Sequence, residues 1–318
     1  MTRGLGLVAD VGGTNARFAL VETEGDRRRL IALEQLTCAE FPSFEATLGT
    51  YLDRVGASPH SGVVAVAGAV KNNAVHFTNL DWRISTESLE RSGHTGIRLI
   101  NDYAAQALAL PLLDKDRICP LGPLERAGEG SLAVLGPGSG LGVAALVRQN
   151  GSEIPLPTEG GHADFAPVDE TDMEVLRYLQ ARHGRVSIEL LLSGGGLSRL
   201  HEALRSLAGD PGHVLTASEI TRRGLDGDFQ CHQTLLRFSA ILGSVAGSVA
   251  LTMGAVGGVF IAGGIAPRIL SVLKESEFRS RFEAKEPMAG WLKAVPSLVI
   301  TDTNSALLGA ARVLEADN

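Results

Sequence analysis

The most constraining feature of this chain is the segment 9–17, which reads Ala-Asp-Val-Gly-Gly-Thr-Asn-Ala-Arg. It stands between two short apolar runs, residues 5–8 and 18–21, that have the length and composition of β-strands. Two strands joined by so short a polar segment fold back on each other. The sequence therefore predicts a β-hairpin at the start of the chain, with two glycines in its turn.

The turn of this hairpin has the chemistry of a phosphate site. Gly12 and Gly13 let the backbone come close to a bulky anion, because they carry no side chain. Thr14 adds a neutral donor, and Arg17 can add positive charge. Asp10, just before the glycines, can hold a metal ion directly or through water. Together these groups indicate a metal-bound nucleotide phosphate rather than a bare phosphate.

The composition is that of an ordinary soluble protein. With 318 residues, the chain is long enough for two domains and a large core. Its net charge is −7 and its Lys/Arg residues do not cluster outside residues 27–29, which disfavours binding to nucleic acid. The three cysteines are scattered and odd in number, so they fit neither a disulfide framework nor a zinc site. They suit the reducing cytoplasm, and the N-terminal sequence does not predict a signal peptide.

One apolar stretch raises the question of a membrane span. The 30 residues between Arg237 and Arg268 carry no charge, and their number alone would allow a transmembrane helix. The stretch is rich in glycine, serine and alanine, however. It divides into a helix that ends near Gly254 and a strand over residues 258–262. We therefore expect two buried elements of a soluble protein and no membrane partner.

A second hairpin of the same design follows in the middle of the chain. Residues 131–147 again contain an apolar strand, a glycine-rich turn with a hydroxyl, and an apolar strand. An offset of 125 places Gly13 on Gly138 and Thr14 on Ser139. Strands and helices alternate along the chain, which predicts an α/β protein. Two such turns that face each other could hold one polyphosphate from both sides.

Two pairs of polar residues stand where α/β proteins bind ligands. Asn101 and Asp102 follow the strand 97–100, and either residue can cap the next helix. The carboxylate of Asp102 can instead act as a general base toward a hydroxyl. Glu159 and His162 flank two glycines. They form either a polar surface turn or a site for the vicinal hydroxyls of a polyol.

Two other candidates are weaker when taken alone. Glu189 stands at the start of a short helix, where a first-turn glutamate is commonly exposed. Gly263 and Gly264 follow a strand and either admit an adenine or ribose or form only a tight turn. The chain has no P-loop sequence. Its two G-x-G-x-x-A matches overlap strands, whereas a dinucleotide site needs such a sequence to open a helix.

In their order along the chain, these motifs identify a family. The chain closely resembles the bacterial ATP-dependent glucokinases of the proteobacterial type, from Leu7 to the C-terminal helix. The motifs that carry the resemblance are Val-Ala-Asp-Val-Gly-Gly-Thr-Asn-Ala-Arg, Ile-Asn-Asp-Tyr-Ala-Ala, Gly-Pro-Gly-Ser-Gly-Leu-Gly-Val, Glu-Gly-Gly-His-Ala-Asp-Phe-Ala-Pro and Gly-Gly-Val-Phe-Ile-Ala-Gly-Gly. Each motif is modest alone, but their order and spacing make the combination specific.

The resemblance implies an α/β, two-domain actin-like ATPase (ribonuclease H-like) fold with a ligand cleft between the domains. We expect a small domain of residues 1–112 plus 303–318 and a large domain of residues 113–302. The implied reaction transfers the γ-phosphoryl group of Mg-ATP to the 6-hydroxyl of glucose and feeds glycolysis. ATP and Mg²⁺ are the expected cofactors and glucose the expected substrate. We also expect a cytoplasmic homodimer.

The resemblance assigns roles to individual residues. Asp102 is the expected catalytic base. The sugar hydroxyls are assigned to Asn101, Asp102, Glu159, His162 and Glu189. The ATP phosphates are assigned to Ala9, Asp10, Val11, Gly12, Gly13 and Thr14 and to the turn with Gly136, Gly138 and Ser139. We expect Asp10 to hold the magnesium ion and Gly263 and Gly264 to contact the nucleotide.

Two alternatives stay open at this point. The chain could phosphorylate another hexose, such as mannose, fructose or glucosamine, or use polyphosphate as the donor. It could also be a non-enzymatic actin-like ATP-binding protein, which would need the phosphate turns but not the Glu159/His162 pair. A sugar-responsive repressor is disfavoured, because the sequence shows neither a cysteine-rich zinc motif nor an N-terminal helix-turn-helix.

Overall fold

The computed structural model describes residues 5–24, 27–77, 80–122, 130–210 and 212–314. The chain divides into two compact units. The first unit comprises Met1–Leu113 and Thr303–Asn318, and the second comprises Asp114–Asp302. Residues 1–4 and 315–318, at the two ends of the predicted small domain, lie outside the described residues.

The first unit is built around a five-stranded sheet with the strand order 3-2-1-4-7. Strands 1, 2 and 3 are antiparallel, whereas strands 1, 4 and 7 are parallel. A two-stranded ribbon pairs strands 5 and 6. The strands are β1 (Gly6–Val11), β2 (Asn15–Glu24), β3 (Arg27–Thr37), β4 (Ser61–Val66), β5 (Ala74–His76), β6 (Arg83–Ser85) and β7 (Ile97–Asn101), and the helices are α1 (Phe44–Val55), α2 (Thr86–Arg91), α3 (Asp102–Ala109) and the C-terminal α12 (Ser305–Val313).

Aromatic side chains hold α1 on one face of this sheet. Phe18 of β2 is fully buried, and its ring stacks on Tyr51 at 4.9 Å and on Phe44 at 6.0 Å between ring centroids. Stacked aromatic rings contribute roughly 0.5–1.5 kcal/mol beyond their buried area. The antiparallel pairing of β1 and β2 confirms the predicted hairpin. The stacking of Phe18 anchors its second strand in the core next to the glycine turn.

The C-terminal helix packs closely on the helix that begins at Asp102. A Cβ atom on Gly309 of α12 would lie 1.8 Å from the carbonyl oxygen of Ala105 in α3. Residues other than glycine would therefore force the two helices apart. This contact fixes the position of α3, and with it the end of β7, which leads into α3.

We predict that Gly309→Ala lowers the free energy of unfolding by roughly 1–3 kcal/mol, because an added methyl group in a packed contact forces the backbone to shift. Urea denaturation measures the change. Gly49→Ala in α1 is the matched control, since its Cβ would meet nothing within 4 Å. That control should be stabilised by about 0.5–1 kcal/mol through helix propensity. Equal effects of the two substitutions would contradict the packing argument.

The second unit repeats the strand plan of the first. Its sheet has the order 11-10-9-12-13-8. Strands 9, 10 and 11 are antiparallel and strands 9, 12 and 13 are parallel. The strands are β8 (Ile118–Pro120), β9 (Leu132–Pro137), β10 (Leu141–Gln149), β11 (Ser152–Thr158), β12 (Gly258–Ile261) and β13 (Ser297–Ile300), and the helices are α4 (Glu170–His183), α5 (Ile188–Leu191), α6 (Gly194–Leu207), α7 (Ala217–Leu225), α8 (Phe229–Met253), α9 (Leu270–Glu275), α10 (Phe278–Glu283) and α11 (Ala289–Lys293).

The internal repeat expected from the two hairpins is confirmed, with one difference in the turns. In the first hairpin, residues 12–15 separate the paired residues Val11 and Ala16. In the second, only residues 138–140 separate Pro137 and Leu141. The second glycine turn is therefore one residue shorter than the first.

The uncharged stretch forms a buried helix and a buried strand, as predicted. Helix α8 ends at Gly254, which adopts a left-handed conformation, and β12 follows. Among the described residues, α8 is the one helix that is long and apolar enough to span a membrane. However, 72% of its most apolar window is buried within the protein. These properties fit a core helix.

A buried ion network fixes the N-terminal end of α4. Arg281 of α10 donates to Asp172 at 2.7 Å and also to Asp169, the residue that caps α4. Arg237 of α8 donates to the same two carboxylates at 3.1 Å and 2.6 Å. Asp172 is only 1% exposed, and it also accepts the backbone N–H of Val168. Burial acts to raise the pKa of Asp169, but the hydrogen bonds from Arg237 and from the backbone of Asp172 and the charges of Arg237 and Arg281 hold it below 3.8.

We predict that Arg281→Met lowers the free energy of unfolding by about 3 kcal/mol, because it removes one of the two guanidinium groups that pair with the buried carboxylate of Asp172. Arg177→Met, which breaks an exposed pair with Glu170, should cost less than about 1 kcal/mol. Urea unfolding at neutral pH distinguishes the two.

Asp169 has a lowered folded-state pKa, so its share of the stability is present above pH 3.8 and is lost as the pH falls through that pKa.

Candidate functional site

The first glycine turn lies at the carboxyl end of β1. The N–H of Gly12 donates to the carbonyl of Asn15 at 3.0 Å, which closes the turn. Thr14 is exposed at its tip, and its carbonyl accepts the N–H of Cys38 at 2.9 Å. Ala9 and Val11 are fully buried in β1, so their backbone is held firmly beneath the turn. A turn of this kind offers backbone donors to an anion.

Asp10 and Arg17 form a cross-strand ion pair below this turn. They are directly opposite each other in the register of β1 and β2, and Nη1 of Arg17 donates to Oδ2 of Asp10 at 3.1 Å. Nε of Arg17 also donates to Gln35 at 3.1 Å. Burial raises the pKa of Asp10, and the charge and hydrogen bond of Arg17 oppose this effect. Arg17, which the sequence suggested as a direct source of charge for phosphate, is therefore engaged with Asp10.

The chemistry of Asp10 fits a magnesium ion that arrives with a nucleotide. Mg²⁺ is usually bound through one or two carboxylates together with substrate phosphates and several waters. Among the described residues, no group of three or more His, Cys, Asp or Glu side chains could form a protein-only metal site. A single carboxylate such as that of Asp10 is what such an ion requires from the protein.

Asn101 and Asp102 lie at the junction of β7 and α3, and the structure separates their tasks. Oδ1 of Asn101 accepts the N–H groups of Tyr103 and Ala104 at 3.0 Å each, so Asn101 is the helix cap. Its Nδ2 donates to the carbonyl of Gly68 at 3.0 Å. Asp102 is the first helical residue, and its Oδ1 accepts the N–H of Tyr103 at 2.9 Å. The capping interpretation thus holds for Asn101 rather than for Asp102.

These residues and the first turn share one edge of the sheet. Val11 pairs with Val66, and Val66 pairs with Asn101, so the three strands end at the same level. Two strand spacings place Val11 and Asn101 about 10 Å apart. The phenol of Tyr103 is close enough to both aspartates to feel their charge. Burial raises its pKa most, and the charges of Asp102 and Asp10 raise it further.

The second glycine turn lies at the carboxyl end of β9, in the second unit. The N–H of Gly138 donates to the carbonyl of Gly140 at 2.8 Å, and Ser139 is exposed at the tip. Gly263 has a φ of 81° and packs on the end of β9, because a Cβ there would lie 2.4 Å from the carbonyl oxygen of Pro137. A Cβ on Gly264 would meet open space.

The turn is therefore bordered by a second pair of glycines. Gly136, which ends β9 together with Pro137, also lies against Gly263, at 3.0 Å from the position that a Cβ would take. The nucleotide residues predicted in this unit, Gly136, Gly138, Ser139, Gly263 and Gly264, are brought together at the ends of the adjacent strands β9 and β12.

Glu159, His162 and Glu189 come together in the second unit. His162 lies between the two carboxylates, with its Nε2 3.9 Å from Glu159 and its Nδ1 3.8 Å from Glu189. The side chains of Glu159 and His162 are 65% and 57% exposed, so both can reach a ligand. The arrangement offers several acceptors and a ring nitrogen to neighbouring hydroxyl groups.

Glu189 is not the freely exposed first-turn glutamate that its position alone suggested. Its side chain is 32% exposed, and its Oε2 accepts the backbone N–H of Leu141 at 2.8 Å. Leu141 begins β10, directly after the second glycine turn. The contact therefore joins Glu189 to a part of the chain that is 48 residues away in sequence.

Comparison with known proteins decides the family. Residues 7–317 match the family model described as Glucokinase. A curated glucokinase of Caulobacter sp. (strain K31) is 50% identical over 316 residues, which cover 99% of this chain and 96% of the relative. A glucokinase of Stenotrophomonas maltophilia (strain R551-3) is 41% identical, over 96% of this chain and 93% of the relative. The chain belongs to the glucokinase family.

Solved glucokinases share the fold of this family member. The crystal structure of a glucokinase from an Antarctic psychrotroph has a TM-score of 0.87 and 37% identity, and the match covers 98% of this chain and 99% of that one. The glucokinase of Balamuthia mandrillaris in complex with glucose has a TM-score of 0.82 at 20% identity, over 98% and 93% of the two chains. The actin-like ATPase fold expected from the sequence is confirmed.

Sequence reasoning missed Arg185, which holds the loop of Glu159 and His162 against the segment that precedes Glu189. The N–H of Ile188 donates to Ala163 at 2.9 Å, so the segment before Glu189 pairs with the loop after His162. Arg185 reinforces this pairing, with hydrogen bonds to Asp164 at 2.7 Å and to the carbonyl of His162 at 2.5 Å. The local sequence gives no signal for such a contact, because the two partners are more than 20 residues apart.

Proposed function

We propose that the chain transfers the γ-phosphoryl group of Mg-ATP to the 6-hydroxyl of glucose, giving glucose 6-phosphate and ADP. Membership of the glucokinase family makes it an ATP-dependent hexose kinase. The observation that carries the proposal is the position of His162 between two carboxylates, with its ring nitrogens 3.9 Å from Glu159 and 3.8 Å from Glu189. Such a group suits a polyol. An ATP-binding protein without a sugar substrate has no need for it.

Asp102 is the general base in this proposal. Phosphoryl transfer depends mostly on positioning and charge stabilisation, so the base orients the acceptor hydroxyl and takes its proton as the oxygen attacks phosphorus. Two observations support this role. Asp102 follows β7 at the carboxyl end of a parallel part of the sheet, and the neighbouring Asn101 supplies the helix cap in its place.

The two glycine turns hold the phosphates of ATP through backbone donors and the hydroxyls of Thr14 and Ser139. Gly263 and Gly264 are assigned to the nucleotide. A Cβ on Gly264 would meet nothing within 4 Å, so a ligand has room beside its backbone. Asp10 holds the magnesium ion through water, and Arg17 keeps the carboxylate in place at 3.1 Å. When bound, the ion supplies positive charge to the phosphate oxygens.

Sugar recognition rests on Asn101, Glu159, His162 and Glu189 together with Asp102. A hydrogen bond to a charged group contributes about 1.5–3 kcal/mol. A hexose that lacks or inverts one of these hydroxyls should therefore bind on the order of 10- to 100-fold more weakly. An assay panel of glucose, mannose, fructose and glucosamine measures this selectivity.

A homodimer and a cytoplasmic location stay predictions.

For Asp102→Asn we expect turnover to fall by about 10²–10⁴-fold, the usual span for loss of a general base. Glucose affinity should change much less, because an amide still forms hydrogen bonds. Coupled ADP-release assays and calorimetry measure the two quantities. Asp53→Asn, at an exposed position of α1, is the control and should keep normal turnover. Near-normal turnover of Asp102→Asn would remove the base assignment.

For Glu159→Gln we expect glucose to bind about 10- to 100-fold more weakly, because a charged acceptor of the sugar hydroxyls becomes neutral. Isothermal titration calorimetry with glucose measures the loss. Glu170→Gln alters a carboxylate that is 70% exposed at the start of α4 and should leave glucose affinity unchanged. If Glu159→Gln binds glucose as tightly as this control, Glu159 is not a sugar ligand.

A further inference from the structure

Glu189 has contacts on two sides, one for each of its carboxylate oxygens. Oε1 faces His162 at 3.8 Å, within the group of residues assigned to the sugar. Oε2 accepts the N–H of Leu141 at 2.8 Å, at the end of the second glycine turn. A charge-assisted hydrogen bond of this length fixes the position of a carboxylate.

Gly140 provides the space in which this carboxylate stands. A Cβ on Gly140 would lie 2.5 Å from Oε2 of Glu189 and 3.2 Å from its Cδ. Gly140 is not among the residues with positive φ, so its backbone does not itself require glycine. The reason for glycine at this position is therefore the carboxylate rather than the shape of the turn.

The same segment touches the turn at a second point. The N–H of Gly194, five residues after Glu189, donates to the carbonyl of Gly138 at 2.8 Å. On its other side, the segment pairs through Ile188 with Ala163. Ala163 belongs to the loop 159–164, which we call the sugar loop because Glu159 and His162 are assigned to the sugar. Residues 187–194, which we call the bridging segment, thus contact both the sugar loop and the second glycine turn (residues 138–140), here called the phosphate turn.

We propose that Gly140, a residue of the phosphate turn, is a positioning residue for sugar binding. Because Gly140 has no side chain, the N–H of Leu141 can hold the carboxylate of Glu189 next to His162. One carboxylate then binds the hexose and also contacts the phosphate turn. This inference rests on the assignment of Glu189 to the sugar in the proposed function. It implies that a methyl group added at Gly140 weakens glucose binding even when no nucleotide is present.

The test compares two glycines of the second unit. Gly140→Ala pushes the flexible carboxylate of Glu189 away, so glucose should bind about tenfold more weakly. Gly290→Ala adds the same methyl group in α11, where a Cβ would meet nothing within 4 Å. Its glucose affinity should stay within about twofold of the parent protein. Calorimetry is done without nucleotide, because Gly140 belongs to the phosphate turn.

A double-mutant cycle shows whether the effect passes through Glu189. Glu189→Gln alone should weaken glucose binding, and adding Gly140→Ala to it should cause little further loss, because coupled residues are not additive. Both single variants should also lose discrimination against the same deoxyglucose, namely the one that lacks the hydroxyl bound by Glu189. Unchanged affinity in Gly140→Ala, or losses that simply add, would overturn the inference. Normal glucose affinity in Glu189→Gln would instead overturn the sugar assignment of Glu189 itself.

A second measurement does not depend on the folding of Gly140→Ala. In the ¹⁵N-labelled parent protein, glucose should shift the amide resonance of Leu141, because its acceptor also binds the sugar. Glu189→Ala should abolish this shift. A Leu141 amide that does not respond to glucose in the parent protein would overturn the inference.

Discussion

Close approach of chain segments at glycine positions is the constraint on which the rest of this structure depends. Gly309 lets α12 lie against α3, and that contact sets where Asp102 stands. Gly263 packs on the end of β9, and Gly140 admits the carboxylate of Glu189. Packed interiors leave no room for even one extra methyl group, so each contact excludes larger residues. Residues assigned to catalysis and binding therefore depend for their positions on neighbouring glycines, whose lack of a side chain allows the close contact.

The acidic residues of the site differ in the partner that holds each of them. Asp10 pairs with a guanidinium across two strands, and Glu189 accepts a backbone N–H. Asp102 begins a helix whose cap is supplied by Asn101. These partners suit the three proposed tasks. Holding a hydrated ion needs a fixed charge, binding a sugar needs a fixed oxygen, and accepting a proton needs a carboxylate placed where the hydroxyl arrives.

Much of the fold and many of the site residues followed from the sequence, because their signals are local. The hairpins, the buried helix that ends at Gly254 and the repeated turn could be read from short stretches of apolar residues and glycine. The capping residue could not be chosen between Asn101 and Asp102, since both are good caps and only the geometry decides. Glu189 looked like an exposed helix glutamate, because its partner Leu141 lies on another strand.

By itself, the sequence determined the α/β class, the two glycine turns and the family, since each depends on residue type and spacing along the chain. Tertiary structure decided which polar groups meet. It paired Arg17 with Asp10, placed His162 between two carboxylates and brought Glu189 to the second glycine turn. The physical reason is that hydrogen bonds and ion pairs act only over a few ångströms. Residues far apart in sequence acquire such partners only when strand order and helix packing bring them together.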